Sequence, residues 1–423
     1  MKILINKNLV SLIITLAFVT IAIGCQKDDD YPDDNQVDTY VYKEFSSFAD
    51  FMKTLDTIAA ITNENLRQDM MNSFWDSLKL NKQIPFVFND SVAFLYKGKA
   101  TSVKWAGDFN RWNPDYGNFT GVKVGKSDVW IVVKTFPLDA RLDYKIVKDG
   151  SWILDPANTY RQYSGFGPNS ELRMPQWVFP EETILIEGAN RGTLSDNFLI
   201  ESIPQNLDYS LNYKVYTPFG YDELQDLPAV YVTDGHEYAD DKLGAMLIVM
   251  DNLIHQGKIK PIIAVFIDPR EPGNTSNNRR MTEYIENIKF ANFLVDELVT
   301  TIDAYYKTSS SPENRAILGT SLGGWNSAFM GLNRSETFQR IGIHSPAFGE
   351  DIIKAYSNTE KLPLKIFMST GVIFDTQVRA KEMKIVLESK QYPLHYIEVN
   401  EGHSWGNWRA LIDEPLTYFF AAP

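Results

Sequence analysis

The stretch AILGTSLGGWN sets Ser321 between Gly319 and Gly323. The apolar run 316–318 reads as a strand and Leu322 opens a helical pattern, so Ser321 falls on a strand-to-helix turn. Small neighbours let strand and helix approach. The helix start offers N–H donors to a developing oxyanion, which suits a serine acting as a nucleophile. Such a serine needs a base, and the chain has five histidines. His255 lies in a helical stretch (DNLIHQGK) and reads as a surface residue. His395 sits at a strand start and reads as structural. His236 and His344 lie at the C-terminal ends of predicted strands, where α/β sites assemble. His403, in EVNEGHSWGNW, follows the last predicted strand on a glycine-flanked loop.

Where a serine, an acid and a histidine follow one another in that order, the histidine must lie well downstream of the serine. Only His395 and His403 do, and only His403 is on a loop, so His403 is the expected general base. The acid should fall between them, after a strand. The strand 364–368 runs into STGVIFD, and Asp375 is the first acidic residue after it. Its expected task is to hold the imidazole tautomer and stabilise the imidazolium. Its plainer role is the N-cap of a helix from about Thr376. Glu398 and Glu401 are rivals, the latter very close to His403 in sequence. Oxyanion donors are expected from the backbone N–H of Leu322 and of His236 in VTDGHEY, with the His236 side chain beside the substrate.

These residues need a scaffold. From Trp177 onward, apolar strands (229–233, 262–267, 316–318, 341–343, 364–368) alternate with helical stretches near 240–256, 287–306, 322–333, 376–390 and 408–420. That rhythm predicts a mostly parallel sheet with helices on both faces over 177–423. Residues 84–176 read differently. Short aromatic and β-branched runs between Gly, Asn, Asp and Pro turns predict an antiparallel, immunoglobulin-like β-sandwich. Residues 45–83 have helical spacing, with a second helix over Glu64–Leu80.

The N-terminal end has its own pattern. Lys2 and Lys7 precede an uncharged run from Leu9 to Gly24 that is too short and wrongly flanked for a stable span. It ends Ala-Ile-Gly-Cys, which resembles a bacterial lipobox and implies cleavage after residue 24 and a lipid on Cys25. The following QKDDD resembles the surface-export signal of Bacteroidetes lipoproteins. Residues 25–44 read as a tether, and the expectation is an outer-membrane lipoprotein facing outward. The single cysteine excludes a disulfide framework and a thiolate metal cluster. A net charge of −13 argues against nucleic acid as a partner. Nothing in the pattern calls for a cofactor or metal. An aromatic content of 13% is high; aromatic side chains build cores and also sugar-stacking surfaces.

VYVTDGHEY, DNLIHQGKIKPIIAVFID, RRMTEY, LGTSLGG and EGHSWGNWR together resemble the esterase D group of α/β-hydrolases. That group includes carbohydrate esterase family one (feruloyl and acetylxylan esterases), enterochelin-type siderophore esterases and mycolyltransferases. The resemblance implies the triad Ser321, Asp375 and His403, and a donor to the oxyanion at His236. Arg280 and Glu283, after the loop 269–278, either orient substrate or brace that loop, their plainer role being a surface salt bridge on a helix. WAGDFNRWNP, DVW and LDYKIVKDGSWILDP resemble carbohydrate-binding module family forty-eight, which implies sugar contacts at Trp112, Lys145 and Trp152. The plainer role of those tryptophans is packing. The expected function is a serine carboxylesterase releasing feruloyl or acetyl groups from plant cell-wall polysaccharide, with xylan as the expected backbone. A siderophore trilactone esterase and a non-catalytic glycan-binding lipoprotein are the competing readings.

Overall fold

A computed structural model describes residues 44–422, which fall in one compact unit. Cys25, the leader and nearly all of the tether lie outside the described residues. The chain enters through helices Phe48–Ala59 and Glu64–Leu80, capped by Ser47, whose Oγ accepts from Asp50 N, and Asn63, whose Oδ1 accepts from Leu66 N. Their apolar stripes bury Phe51, Leu55, Met71, Phe74 and Leu78.

Two antiparallel sheets follow. The first is four-stranded and contains the strands Ser91–Lys97 and Val129–Thr135. Alternation along Ser91–Lys97 gives each face a purpose. Ala93 and Leu95 face the two helices, whereas Val92, Phe94 and Tyr96 face the second sheet. That second, five-stranded sheet contains Val103–Gly107, Arg141–Lys148 and Gly167–Arg173. On Arg141–Lys148, Leu142, Tyr144 and Ile146 enter the core shared by both sheets. The alternate residues Arg141, Asp143 and Lys145 therefore point away from that core, toward the remainder of the chain.

The remainder is built on a nine-stranded sheet. Its order is Thr193–Leu194, Ser210–Thr217, Ile263–Asp268, Ala229–Val232, Arg315–Thr320, Arg340–His344, Lys365–Gly371 and Leu394–Val399, with Phe198–Glu201 also pairing Ser210–Thr217. Every neighbour pair from Ile263–Asp268 to Leu394–Val399 is parallel, and Ser210–Thr217 runs antiparallel. This is the α/β-hydrolase arrangement. Both faces are covered, so central strands such as Ala229–Val232 and Ile263–Asp268 are buried throughout. Ala229 and Tyr231 belong to one core, Val230 and Val232 to the other.

The helical expectations hold in outline and differ in detail. The expected helix over 240–256 begins only at Met246, after a short turn of helix Gly235–Tyr238. The 408–420 stretch is two helices, Trp405–Arg409 and Asp413–Phe420, with Pro415 in the first turn of the second. Helix Glu350–Asn358 was not expected. Its nine residues give too short a periodic signal beside the neighbouring loops.

Candidate active site

Ser321 follows the buried strand Arg315–Thr320 and immediately precedes helix Leu322–Asn333. Its φ of 58° and ψ of −115° are strained for a side-chain-bearing residue. The flanking glycines make the turn possible. A Cβ on Gly319 would lie 2.3 Å from Thr233 Oγ1 and 2.4 Å from the Gly323 carbonyl carbon. Backbone bonds hold the strain in place: Ser321 N donates to His344 O (2.9 Å), and Ala347 N donates to Ser321 O (3.0 Å).

His403 Nε2 lies 3.0 Å from Ser321 Oγ, and its Nδ1 lies 2.6 Å from Asp375 Oδ1. The Asp375 side chain is fully buried. Its Oδ2 accepts from Ser345 Oγ (2.5 Å) and Gly371 N (2.6 Å). Burial pushes its pKa up, but the bonds from His403, Ser345 and Gly371 outweigh that and hold it below the ordinary carboxylate value. The carboxylate is thus ionised, fixed by two other donors, and aimed at the imidazole. Leu322 N, first in its helix, has no intrahelical acceptor and is free to face an oxyanion.

Ser321 and His403 open into a cavity of about 570 Å³. Much of its wall comes from the sheet pair: Asp108, Trp112, Asp143, Lys145 and Asn169 line it with the serine and histidine. The tip of the hairpin joining Arg161–Ser164 to Gly167–Arg173 reaches the rim, where Phe166 is 99% exposed. Trp112 and Lys145 thus share one cavity with Ser321. Trp152 does not line it but stands beside Trp112, ring centroids 6.5 Å apart and planes at 23°, and is half exposed.

Arg280 lines the cavity, with its guanidinium forked onto Asp234 at 3.1 and 2.8 Å. Two expectations need correction. Glu283 does not reach the cavity. It is buried and accepts from Tyr209 OH at 3.0 Å, with burial raising its pKa to about 8. The His236 side chain does not lie beside the serine either. It lines a separate cavity of about 280 Å³ with Asp268 and Arg270, its Nδ1 3.4 Å from Asp268 Oδ1. The reason is helical phase. Asp234 caps the short helix and lines the cavity together with Glu237, whereas His236, about 100° round the helix from Glu237, turns into the smaller cavity.

Beyond Trp112 and Lys145, sequence reasoning missed the residues that the sheet pair adds to the cavity (Asp108, Asp143, Asn169), and it missed Asp234 and Glu237. The one available signal was the alternation of LDYKIVK, which sets Asp143 and Lys145 off the core without saying what they face.

Residues 205–356 match a family model described as putative esterase. The match supports an esterase family. Among curated relatives, the uncharacterized protein YjcH of Bacillus subtilis is 25% identical over 227 residues, covering 50% of this chain and 92% of that protein. The endo-1,4-beta-xylanase/feruloyl esterase of Xylanibacter ruminicola is 33% identical over 238 residues, covering 53% of this chain but only 31% of that protein. Among solved structures, the enterobactin esterase of Shigella flexneri aligns with a TM-score of 0.63 at 18% identity, covering 77% of this chain and 92% of that one. That likeness shows the fold.

Proposed function

We propose that the protein is a serine carboxylic ester hydrolase that releases feruloyl or acetyl groups from plant cell-wall polysaccharide. The observation that carries this reading is the unbroken line of Ser321 Oγ, His403 Nε2, His403 Nδ1 and Asp375 Oδ1 at 3.0 and 2.6 Å, opening into a cavity. Ser321 Oγ attacks the ester carbonyl while His403 Nε2 takes its proton. Asp375 keeps the Nδ1 proton in place and stabilises the imidazolium. The tetrahedral oxyanion gains the Leu322 N–H and the positive end of helix Leu322–Asn333. His403 then protonates the departing alkoxide, and the acyl group stays on Ser321. Water, giving a proton to the same imidazole, adds to the acyl carbonyl; the C–O bond to Ser321 breaks, Oγ takes that proton back, and the acid leaves.

Trp112 and Lys145 on the cavity wall support a sugar on the alcohol side. An indole face covers sugar C–H groups, and an ammonium donates to hydroxyls. The likeness of this module to carbohydrate-binding family forty-eight and the curated feruloyl esterase relative favour the same substrate class. The charge of the cavity weighs against a ferric catecholate trilactone. Asp108, Asp143, Asp234 and Glu237 line it, and Arg280 is already paired with Asp234. That leaves Lys145 as the one unpaired lysine or arginine among the lining residues, too little positive charge for a highly anionic ligand. A lipid on Cys25 would hold the enzyme at the outer membrane, near polymeric substrate.

A panel of methyl ferulate, acetylated xylan and a catecholate trilactone, ranked by kcat/KM, tests the substrate class. The reading expects a ferulate or acetyl ester to lead the trilactone by at least about tenfold, ~1.4 kcal/mol in transition-state binding. A lead for the trilactone would overturn it.

A further inference from the structure

The loop 401–406 carries His403, and the sheet pair grips it from beneath. Arg141 begins the strand Arg141–Lys148 and forms an isolated parallel β-bridge with Glu401. Its side chain is fully buried. Nε donates to Glu171 Oε1 at 2.6 Å, and Nη2 donates to Asp143 Oδ1. The remaining nitrogen, Nη1, reaches into the loop, 3.3 Å from Ser404 Oγ and 3.5 Å from Glu401 Oε2. Ser404 is the residue after His403. The guanidinium also lies against Gly406, where a Cβ would come within 1.9 Å of Nη1.

A second contact holds the other side of the histidine. A Cβ on Gly402 would lie 2.4 Å from Asp108 Cβ. Asp108 is itself fixed by Asp143 N at 2.8 Å and Trp112 Nε1 at 3.1 Å. The acid loop is tied to the same place. Ile373 N donates to Glu401 O at 3.1 Å. Arg111 sits 5.0 Å over the Phe374 ring, next to Asp375. Arg141 is thus the charged centre of a junction whose other side is the histidine loop.

We infer that Arg141 is a positioning residue for His403: its guanidinium, held by Asp143 and Glu171 on the sheet pair, sets the 401–406 loop through Glu401, Ser404 and Gly406. This rests on the reading of His403 as the general base. The sheet pair then belongs to the catalytic architecture and not only to substrate binding. A planar five-donor fork can serve Asp143, Glu171, Glu401 and Ser404 together, which an ammonium on a flexible stem cannot.

The test uses the full chain and p-nitrophenyl acetate, a substrate too small to need the sheet-pair wall. Arg141→Met is expected to lower kcat by about tenfold or more, with KM within about twofold, because histidine aim enters the transition state more than substrate binding. Arg141→Lys should not restore kcat. Glu401→Gln, an isostere that keeps the contact to Trp177 Nε1 (3.2 Å), removes only the charge facing Arg141. It should lower kcat by about threefold or more, and the Arg141→Met/Glu401→Gln double variant should be no worse than Arg141→Met alone. Melting curves show which variants are folded, and if Arg141→Met does not fold, Glu401→Gln decides. Wild-type kcat in a folded Arg141→Met or in Glu401→Gln, or an effect confined to KM, would overturn the inference. Ser321→Ala and His403→Ala run alongside. If they keep turnover, the proposed function fails. If they abolish it while Arg141→Met and Glu401→Gln keep kcat, only the role of Arg141 fails.

Discussion

Replacing Asp375 by Asn isolates the carboxylate's role, because the structure dictates how the amide must sit. Oδ2 accepts from Gly371 N and Ser345 Oγ, and the Gly371 N–H cannot reverse its direction. In Asp375→Asn the amide oxygen therefore takes the Oδ2 position and the NH2 group faces His403 Nδ1. An imidazole that accepts at Nδ1 carries its proton on Nε2. That nitrogen is 3.0 Å from Ser321 Oγ and would now donate to the serine instead of taking its proton. The fold should survive, since shape and most bonds are kept, but the base is in the wrong tautomer. The expected loss in kcat is roughly a thousand- to ten-thousandfold, or about 4–5.5 kcal/mol of transition-state stabilisation. The assay is p-nitrophenolate release from p-nitrophenyl acetate between about pH 7 and 9, with thermal melts to establish folding. A folded Asp375→Asn enzyme that loses less than about tenfold would refute the tautomer argument and return Asp375 to a structural part.

Gly323→Ala should lower both Tm and kcat, since its Cβ would lie 2.4 Å from Thr233 Oγ1. The cost is about 1–3 kcal/mol of overpacking beside the nucleophile, read by calorimetry and steady-state rates. Glu283→Gln should change the pH dependence of stability. The buried carboxyl's pKa rises from 4.5 to about 8, so between those values the folded chain holds a proton the unfolded chain has released. Native stability then falls as pH rises from 4.5 through about 8. The amide abolishes that loss, so the variant's Tm relative to wild type should climb between about pH 5 and pH 9, by the equivalent of a few kcal/mol. Parallel Tm curves would contradict this. Trp112→Ala should raise KM for a feruloylated oligosaccharide by about three- to tenfold and leave KM for p-nitrophenyl acetate unchanged, if the indole stacks on sugar.

How much was legible in the sequence depended on the range of each interaction. The turn at Ser321 is local: two glycines, a preceding apolar strand and a following helix all lie within a dozen residues. Asp375 and His403 each follow a strand end of the parallel sheet, so chain order alone brings them to one edge. The direction of the His236 side chain was misjudged because the phase of a short helix decides it, and four residues give no periodic signal. Glu283 was misjudged because a short helix with two adjacent arginines reads as surface, whereas its acidic residue points inward to Tyr209. The contribution of Arg141 and Asp143 was not legible. Strand alternation shows that they leave one core, but only the packing of the sheet pair on the α/β part shows what they meet.

The central claim is that Ser321 forms an acyl-enzyme, and covalent labelling tests it most directly. An aryl fluorophosphonate should add once, with peptide mapping placing the adduct on Ser321, and hydrolysis of p-nitrophenyl acetate should disappear as the label is incorporated. Ser321→Ala should take no label and show no turnover. Turnover that survives Ser321→Ala, or a label carried by another residue, would contradict the account.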